Sequence, residues 1–355
     1  MEISELISNI NIFALIVGLV FGAIAQKTQF CFSGSIKDYM LTSSTKRAAS
    51  VVMAIIIAII STKIISSIYS IDLNSTVYYK NNINYFTIIF GGALFGVGMM
   101  IADGCSSRHL IKFAQGDKYS LITFLFIAIF AYISTRGVFY DFLHYFSANE
   151  ILIELSSNIS NFKINIYLIV SILFVYLLIL TKNIKRILSL YDGFFIGLLV
   201  GITWYITGVL SEEYMDQIVN LSSITFVYPS AKTLEFIMFI KEFDISFGVS
   251  IVLGVLFGAF FHSLINKKYS FGCTSNLKNS RLKNSIFGGA FMGIGGVLAI
   301  GCTVGQGLSG LSTLAFASFV ALVSILSSAY ITAIYLKNKN ALPMCFIFEW
   351  DKEKK

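Results

Sequence analysis

Four of the five cysteines in this chain share one sequence pattern, and that pattern has the chemistry of an anion site. In each case an apolar segment ends, a cysteine follows, and a Ser or Thr stands within the next two residues, where it would cap a new helix. Free N–H groups and the helix dipole favour negative charge at such a start. The four sites are QFCFSGS around Cys31, DGCSSRH around Cys105, FGCTSN around Cys273 and IGCTVGQG around Cys302.

The thiols narrow the chemical class of the anion. Cysteine sulfur is soft and polarizable, with a weak S–H donor and a weak sulfur acceptor, which suits a ligand whose contact atom is sulfur or selenium. A thiolate would repel an approaching anion. We therefore expect neutral thiols that pass a sulfur-bearing anion from one cysteine to the next.

Small residues beside the cysteines are candidates for the same site. Gly104 and Gly301 directly precede Cys105 and Cys302, and a glycine lets the backbone approach a ligand closely. Ser106 and Thr303 directly follow those cysteines, where a hydroxyl would cap a helix.

Two charged residues flank Cys105. Arg108 either counters the charge of an anion or serves only as a loop residue that sets the topology. Asp103 lies at the end of an apolar segment, where an uncompensated carboxylate is costly in a membrane. We expect Asp103 to cap a helix or to pair with Arg108.

The composition predicts an all-α polytopic membrane protein. The 355 residues are 56% hydrophobic and only 13% charged, about half the charged share of a soluble domain. The net charge of +7 lies mostly in short loops between apolar segments, as the positive-inside rule predicts, so no nucleic-acid partner is expected. The lipid bilayer is the expected surrounding of the chain.

Several other classes of chemistry are not indicated. The cysteines form neither a disulfide framework nor a CxxC metal site, and Cys345 is predicted to be a small apolar filler. No GxxxxGK[ST] phosphate loop is present, so the chain is not expected to hydrolyse ATP. We expect a protein that is not an enzyme and that uses neither a metal nor another cofactor.

Apolar segments of about twenty residues predict nine membrane crossings. They are residues 9–26, 47–69, 84–102, 119–137, 164–181, 190–210, 246–265, 285–301 and 316–336. Four short pieces, each directly after a cysteine, are predicted as re-entrant half-helices: 33–42, 106–116, 274–282 and 304–314. Basic and non-basic connections alternate along this order, which places the N-terminus outside and the C-terminus in the cytoplasm.

The apolar segment that ends at Cys105 is duplicated in the chain. FGGALFGVGMMIADGC at 90–105 and FGGAFMGIGGVLAIGC at 287–302 share nine of sixteen positions. Five crossings separate the two copies, so they are predicted to run in opposite directions, as in an inverted repeat. The chain is then one transport domain, 1–355, with repeat-like halves at about 9–137 and 246–336 linked by 138–245. A weaker echo, GLVFGA at 18–23 and GVLFGA at 254–259, lies on crossings predicted to be parallel.

These motifs resemble the YeeE/YedE family of bacterial inner-membrane sulfur-transport proteins. The resemblance rests on FCFSG around Cys31, GGALFG…DGCSSRHL ending at Cys105, and GGAFMGIGG…GCTVGQGLSG around Cys302, and it extends from about residue 12 to 336. It implies nine spans with short inward-facing helices and uptake of thiosulfate. It also implies that Cys31, Cys105 and Cys302 contact the ion in turn. A separate small cytoplasmic sulfur-carrier protein is an implied partner, and some relatives are associated with selenium metabolism.

Three functions remain open on these grounds. The first is a transporter that moves thiosulfate, or a related sulfur or selenium anion, inward across the bacterial inner membrane. The second is a membrane thiol-redox protein, although no CxxC motif supports it. The third is a soft-metal transporter, which the lack of Met-rich or His-rich motifs disfavours.

Overall fold

The architecture is all-helical over the described part of the chain. The computed structural model describes residues 3–79, 83–147, 166–182, 190–212, 221–239, 245–267, 269 and 278–343. The helices are α1 Ile3–Thr28, α2 Phe32–Thr42, α3 Lys46–Tyr69, α4 Tyr85–Ile101, α5 Ser106–Ala114, α6 Lys118–Arg136, α7 Tyr140–Ser147, α8 Ile166–Thr181, α9 Tyr191–Glu212, α10 Val227–Met238, α11 Phe247–Ile265, α12 Lys278–Leu298 and α13 Phe316–Asn338. Short 3₁₀ turns form at Leu73–Ser75 and Val77–Tyr79, and a π-helical turn forms at Gly305–Gly310.

Each predicted crossing overlaps one of these helices. Seven helical stretches in the described residues are long and apolar enough to cross a membrane, and Ile166–Thr181 is a shorter apolar helix. Most helix ends fall within a few residues of the predicted ends, because long apolar runs bounded by polar residues predict a spanning helix well. The first helix and α12 begin six and seven residues earlier than predicted. The chain is therefore a polytopic membrane protein.

Three of the four short pieces predicted after a cysteine are short helices. They are α2 after Cys31, α5 after Cys105, and the stretch 303–312 after Cys302, which contains the π-helical turn. The fourth prediction, 274–282, is wrong over the residues that are described. Residues 278–282 form the first turns of α12, since this polar segment contains neither Gly nor Pro to interrupt the helix. Residues 274–277 lie outside the described residues.

The two copies of the duplicated segment, α4 and α12, pack directly on each other. A Cβ on Gly91 would lie 2.8 Å from the Gly295 carbonyl oxygen, and a Cβ on Gly98 would lie 2.7 Å from that of Gly288. The earlier glycine of α4 meets the later glycine of α12, so the two helices are antiparallel. Glycine at the crossing allows the backbones to approach closely.

The weaker echo is also a helix crossing, between α1 and α11. A Cβ on Gly18 would lie 2.5 Å from the Ile251 carbonyl oxygen, and one on Gly22 would lie 2.9 Å from the Val255 Cα. On the other helix, a Cβ on Gly258 would collide with the Leu19 carbonyl. Both chains advance in the same direction along this contact, so α1 and α11 are parallel, as the order of crossings predicted.

The acidic connection at 211–245 contains structure that the sequence did not predict. Its helix α10 contributes Glu235, whose carboxylate is buried and binds Arg136 at 2.9 Å and Lys232 at 2.7 Å. The preceding residues are also in the core, since Ile224 and Phe226 are fully buried. The sequence around Glu235 gave no sign of this burial, because Arg136, one of its two partners, lies 99 residues earlier in the chain.

We predict that Gly258→Ala destabilises the fold by about 1–3 kcal/mol, the usual result of adding a methyl group to a closed contact. The new Cβ would meet the backbone of Leu19, which cannot rotate away as a side chain can. Thermal unfolding of the detergent-solubilised protein measures this change. Phe261→Ala, at an exposed position of the same helix, is the control; equal melting temperatures for the two variants would contradict the prediction.

Candidate functional site

Cys31 takes the N-cap position of α2. Its backbone is extended, with φ −168° and ψ 131°, and its Sγ accepts a hydrogen bond from the Gly34 N–H at 3.4 Å. A second contact joins the Cys31 Sγ to the Ser33 Oγ at 3.0 Å. The thiol therefore occupies the place that a Ser or Asp oxygen usually takes at a helix start.

Cys302 has the same arrangement at the start of the stretch 303–312. Its Sγ accepts from the Gly305 N–H at 3.3 Å. The two residues before it have positive φ angles, 57° at Ile300 and 157° at Gly301, which turn the chain out of α12 into the next helix. The prediction of a glycine-dependent break at Gly301 is consistent with this backbone.

Cys105 begins α5 but contacts a side chain instead of a backbone N–H. Its Sγ lies 3.3 Å from the Ser107 Oγ, and the thiol makes no capping hydrogen bond. The chain reaches Cys105 through Asp103, which has a left-handed φ of 71°, and Gly104. The weak thiol acceptor thus leaves N–H groups of the α5 start without a side-chain cap.

The fold brings Cys31 and Cys105 together. Each thiol is an electrostatic neighbour of the other at the junction of α2 and α5. Both are buried, at 3% and 1% exposure, and both are free thiols. Two half-helices from distant parts of the sequence therefore start at one point.

Cys302 belongs to the same buried cluster but has different neighbours. The Tyr78 hydroxyl donates to the Gly305 carbonyl oxygen at 3.0 Å, and the Thr225 Oγ1 lies against Gly305 from the opposite segment. The Phe32 ring, next to Cys31 in the chain, packs on the backbone of Gly307. Phe32, the first residue of α2, thus packs α2 against the helix that follows Cys302.

Tyr78 and Thr225 were not among the predicted site residues. Tyr78 stands in a polar connection and Thr225 in a segment without periodicity, so neither carries a local signal of its contact with the Cys302 helix. Thr225 does stand just before α10, where a Thr is common near a helix start, as at the cysteine sites.

Three predicted site residues carry buried polar atoms without a hydrogen bond. These atoms are the Ser106 Oγ, the Thr303 Oγ1 and the Arg108 Nη1, and none of them finds a partner among the described residues. Leaving such a group unsatisfied costs about 1–3 kcal/mol, and more when it is charged. A polar ligand beside the cysteines would remove that cost.

Arg108 is a buried residue of the site and not a surface loop residue. Its side chain passes over Gly104, where a Cβ would lie 3.1 Å from the Arg108 Cγ, and its Nη2 donates to the Gln29 Oε1. The guanidinium is an electrostatic neighbour of both Cys31 and Cys105. Its positive charge therefore acts on the thiol pair.

Asp103 does not form the predicted pair with Arg108. Its carboxylate lies between two buried ammonium groups, with Oδ2 at 2.7 Å from the Lys112 Nζ and Oδ1 bonded to the Lys37 Nζ. Lys112 also donates to the Asp103 backbone oxygen at 2.5 Å. Lys112 lies two turns into α5, and its side chain extends back past the start of the helix to Asp103.

Cys273 and Cys345, the remaining two cysteines, lie outside the described residues. Their predicted roles, a fourth site and an apolar filler, stay predictions.

Comparison with known proteins gives the chain a family. Residues 27–331 match the family described as "Sulphur transport", which covers most of the chain. The chain belongs to the sulphur transport family. The family resemblance expected from the cysteine motifs is confirmed.

Relatives of this sulphur transport protein are named as transporters. The thiosulfate transporter TsuA of Escherichia coli (strain K12) is 23% identical over 341 residues, which are 91% of this chain and 93% of the relative. TsuA of Spirochaeta thermophila is 26% identical over 125 residues, 35% of this chain and 36% of the relative. The probable transporter YedE of Escherichia coli is 23% identical over 106 residues, 30% of this chain and 25% of the relative.

Membership of this family bears on the chemistry of the site. The family and the relatives are described as transport proteins, which fits the expectation of a transporter that is not an enzyme. The described residues contain no group of three or more His, Cys, Asp or Glu side chains placed to hold a metal ion.

We predict that Asp103→Asn destabilises this sulphur transport protein by about 3–5 kcal/mol, the usual result of removing one partner of a buried ion pair. Lys37 and Lys112 would lose the carboxylate that both of them contact. Thermal unfolding of the purified protein measures the effect. Asp141→Asn, at an exposed position in α7, is the matched control and should leave the melting temperature unchanged. An unchanged melting temperature for Asp103→Asn would refute the stabilising role of the Asp103 ion pairs.

Proposed function

We propose that this protein takes up thiosulfate across the bacterial inner membrane, along a path that passes Cys302 and then the Cys31–Cys105 pair. Its similarity to TsuA of Escherichia coli over 91% of the chain supports the substrate. The observation that carries the path is that three cysteines begin three short helices within one buried cluster.

The helix starts supply the attraction for a negative ion. N–H groups at a helix start and the helix dipole stabilise an anion without placing a full positive charge at each step. Sulfur accepts weakly, so the bonds from Gly34 and Gly305 to the cysteine thiols are easily exchanged for bonds to a ligand. The unpartnered hydroxyls of Ser106 and Thr303 stand next to two of the thiols.

The thiols match the other end of the ion. Thiosulfate carries three oxygens and one terminal sulfur, and a neutral thiol can donate its weak S–H to that sulfur or make a soft contact with it. Cys31 and Cys105, placed side by side, offer two such groups at one position. Cys273, Gly104 and Gly301 belong to the same proposal, Cys273 as a further contact and the glycines as residues that let the backbone approach.

The proposed orientation follows from the charge pattern of the connections. With the N-terminus outside and the C-terminus in the cytoplasm, α1 and α4 both end toward the cytoplasm, and α12 ends toward the outside. The contact between the Cys31 and Cys105 thiols agrees with this order, because both follow helices that end on the same side. Cys302 is then the outer site.

We also propose that residues 9–137 and 246–336 are inverted halves of one domain, 1–355, with 138–245 as the link. Gly91 and Gly98 correspond in the duplication to Gly288 and Gly295, and the contacts of these glycines are reciprocal, 91 with 295 and 98 with 288. A two-fold axis in the membrane plane between α4 and α12 would produce such a pattern. A separate small cytoplasmic sulfur-carrier protein is the proposed acceptor of the imported sulfur.

Serine substitutions test the relay while keeping a small polar side chain at each helix start. Cys302→Ser, Cys105→Ser and Cys31→Ser retain a hydroxyl acceptor and remove sulfur. We expect each to lower thiosulfate uptake at least about tenfold, the factor that a loss of about 1.4 kcal/mol gives. Growth of a cysteine-requiring host on thiosulfate, with the amount of protein in the membrane measured in parallel, reports the loss; Cys345→Ser is the control, and wild-type growth of all variants would exclude the relay.

Competing anions define the substrate. In proteoliposomes that contain the purified protein, unlabelled thiosulfate and selenosulfate should suppress uptake of radiolabelled thiosulfate more strongly than sulfite or selenite, which lack a terminal soft atom. Equal suppression by all four anions would show that the thiols do not select the ligand.

The contact between Cys31 and Cys105 favours one alternative, a membrane thiol-redox protein, because adjacent thiols can form a disulfide. Thiol labelling during turnover separates the two functions. A transporter of the proposed kind keeps both thiols reduced and labelled throughout uptake, whereas a redox protein would alternate between labelled and unlabelled states.

A further inference from the structure

Arg47, at the start of α3, is a buried residue whose position the charge pattern of the loops does not explain. As a basic residue at the very start of the predicted crossing 47–69, it is expected at the membrane surface, yet it is only 7% exposed. A Cβ on Gly34 would collide with its Nη1, and that same position is 3.3 Å from the Cys31 Cβ. The guanidinium therefore lies against Gly34, the residue whose N–H donates to the Cys31 Sγ, and a glycine is needed there to leave room for it.

Arg108 approaches the same thiols from α5. Its guanidinium is an electrostatic neighbour of Cys31 and Cys105, and also of Arg47. Two guanidinium groups, from α3 and α5, thus border one pair of thiols. Like charges placed side by side in a buried position repel each other strongly, because the surrounding dielectric constant is low.

The protein supplies only part of the negative charge and hydrogen bonding that these groups need. Asp38 pairs with Arg47, with 3.2 Å between the carboxylate Oδ2 and the Nε, but these atoms do not form a well-aligned hydrogen bond. The Arg47 Nη2 and the Arg108 Nη1 have no hydrogen-bond partner among the described residues. Asp103 is held by Lys37 and Lys112 instead.

We infer that Arg47 and Arg108 together bind the oxygen end of the transported anion while the Cys31 and Cys105 thiols bind its sulfur end. This inference rests on the proposed function and adds an anion-binding residue, Arg47. Guanidinium groups suit this task because their planar N–H pairs match the oxygens of a sulfonate-like group. The site would then require two features in one ligand, a charged oxygen face and a soft terminal atom.

This bipartite site defines a ligand class. Thiosulfate and selenosulfate have both features, sulfate has only the oxygen face, and hydrosulfide has only the soft atom. Asp38 competes with the anion for Arg47, so the acid limits how tightly the anion is held and favours its release. A carrier benefits from such competition because a ligand that is bound too tightly does not leave.

Binding of thiosulfate and of sulfate to the purified detergent-solubilised protein tests the inference by isothermal titration calorimetry. Arg47→Gln should raise the Kd for both anions about 10- to 100-fold, the factor expected from one charge-assisted hydrogen bond. Cys105→Ser should lower the preference for thiosulfate over sulfate, whereas Arg47→Gln should keep that ratio within about threefold. Asp38→Asn should lower the Kd for thiosulfate at least about threefold, since it removes a competing charge.

Two further variants separate binding from folding. The double variant Arg47→Gln/Asp38→Asn leaves no unpaired carboxylate. It should still bind thiosulfate more weakly than wild type. Its melting temperature should lie closer to that of wild type than the melting temperature of the single Arg47→Gln variant does. Arg281→Gln removes another arginine from a pair with a buried acid, Asp117 at 2.7 Å, and is the matched control that should leave the Kd unchanged.

The outcomes distinguish this inference from the proposed function. If the wild-type protein takes up thiosulfate and Arg47→Gln leaves the Kd unchanged, the role of Arg47 is overturned and uptake stands. Wild-type protein that binds and transports no thiosulfate would overturn both. A raised Kd for Arg281→Gln equal to that for Arg47→Gln would show a general effect of positive charge and would also overturn the specific role.

Discussion

The structure depends on helix starts that are buried inside a membrane protein. The first N–H groups of a helix have no partner within it, and in the absence of water they must be satisfied by a side chain or a ligand. At Cys31 and Cys302 the partner is a thiol, which accepts weakly, and at Cys105 the thiol makes no well-aligned capping hydrogen bond. A Ser or Asp would close these sites more firmly. Weak capping would leave the N–H groups available to the anion that we propose.

Such helix starts require supporting helices that are packed unusually closely. The crossings of α4 with α12 and of α1 with α11 are both made by glycines, and a Cβ at these positions would meet backbone atoms of the other helix. Close crossings bring the short helices that follow α1, α4 and α12 to the centre of the protein. The glycine repeats and the cysteine breaks therefore work together, because the glycine crossings determine where the short helices after the cysteines can meet.

The charged residues around the thiols are paired unequally. Asp103 is shared by Lys37 and Lys112, and Asp38 serves Arg47 alone, while Arg108 contacts a neutral amide, the Gln29 side chain. Positive charge is therefore in excess among the described residues beside Cys31 and Cys105. Buried charge of this kind is costly to a fold unless function uses it, and the anion that we propose to pass the thiols would supply the counter-charge.

The sequence alone determined the membrane class, a helix at each predicted crossing and the short helices after Cys31, Cys105 and Cys302. These features are local, since apolar length, glycine and capping residues act within one or two turns of the chain. The tertiary structure decided which of these sites meet. It placed Cys31 against Cys105, gave Asp103 to Lys37 and Lys112, buried Arg47 beside Gly34, and brought Tyr78 and Thr225 to the Cys302 helix. Such pairings join residues that are far apart in the chain. They depend on which helices cross each other, and no local sequence pattern shows this.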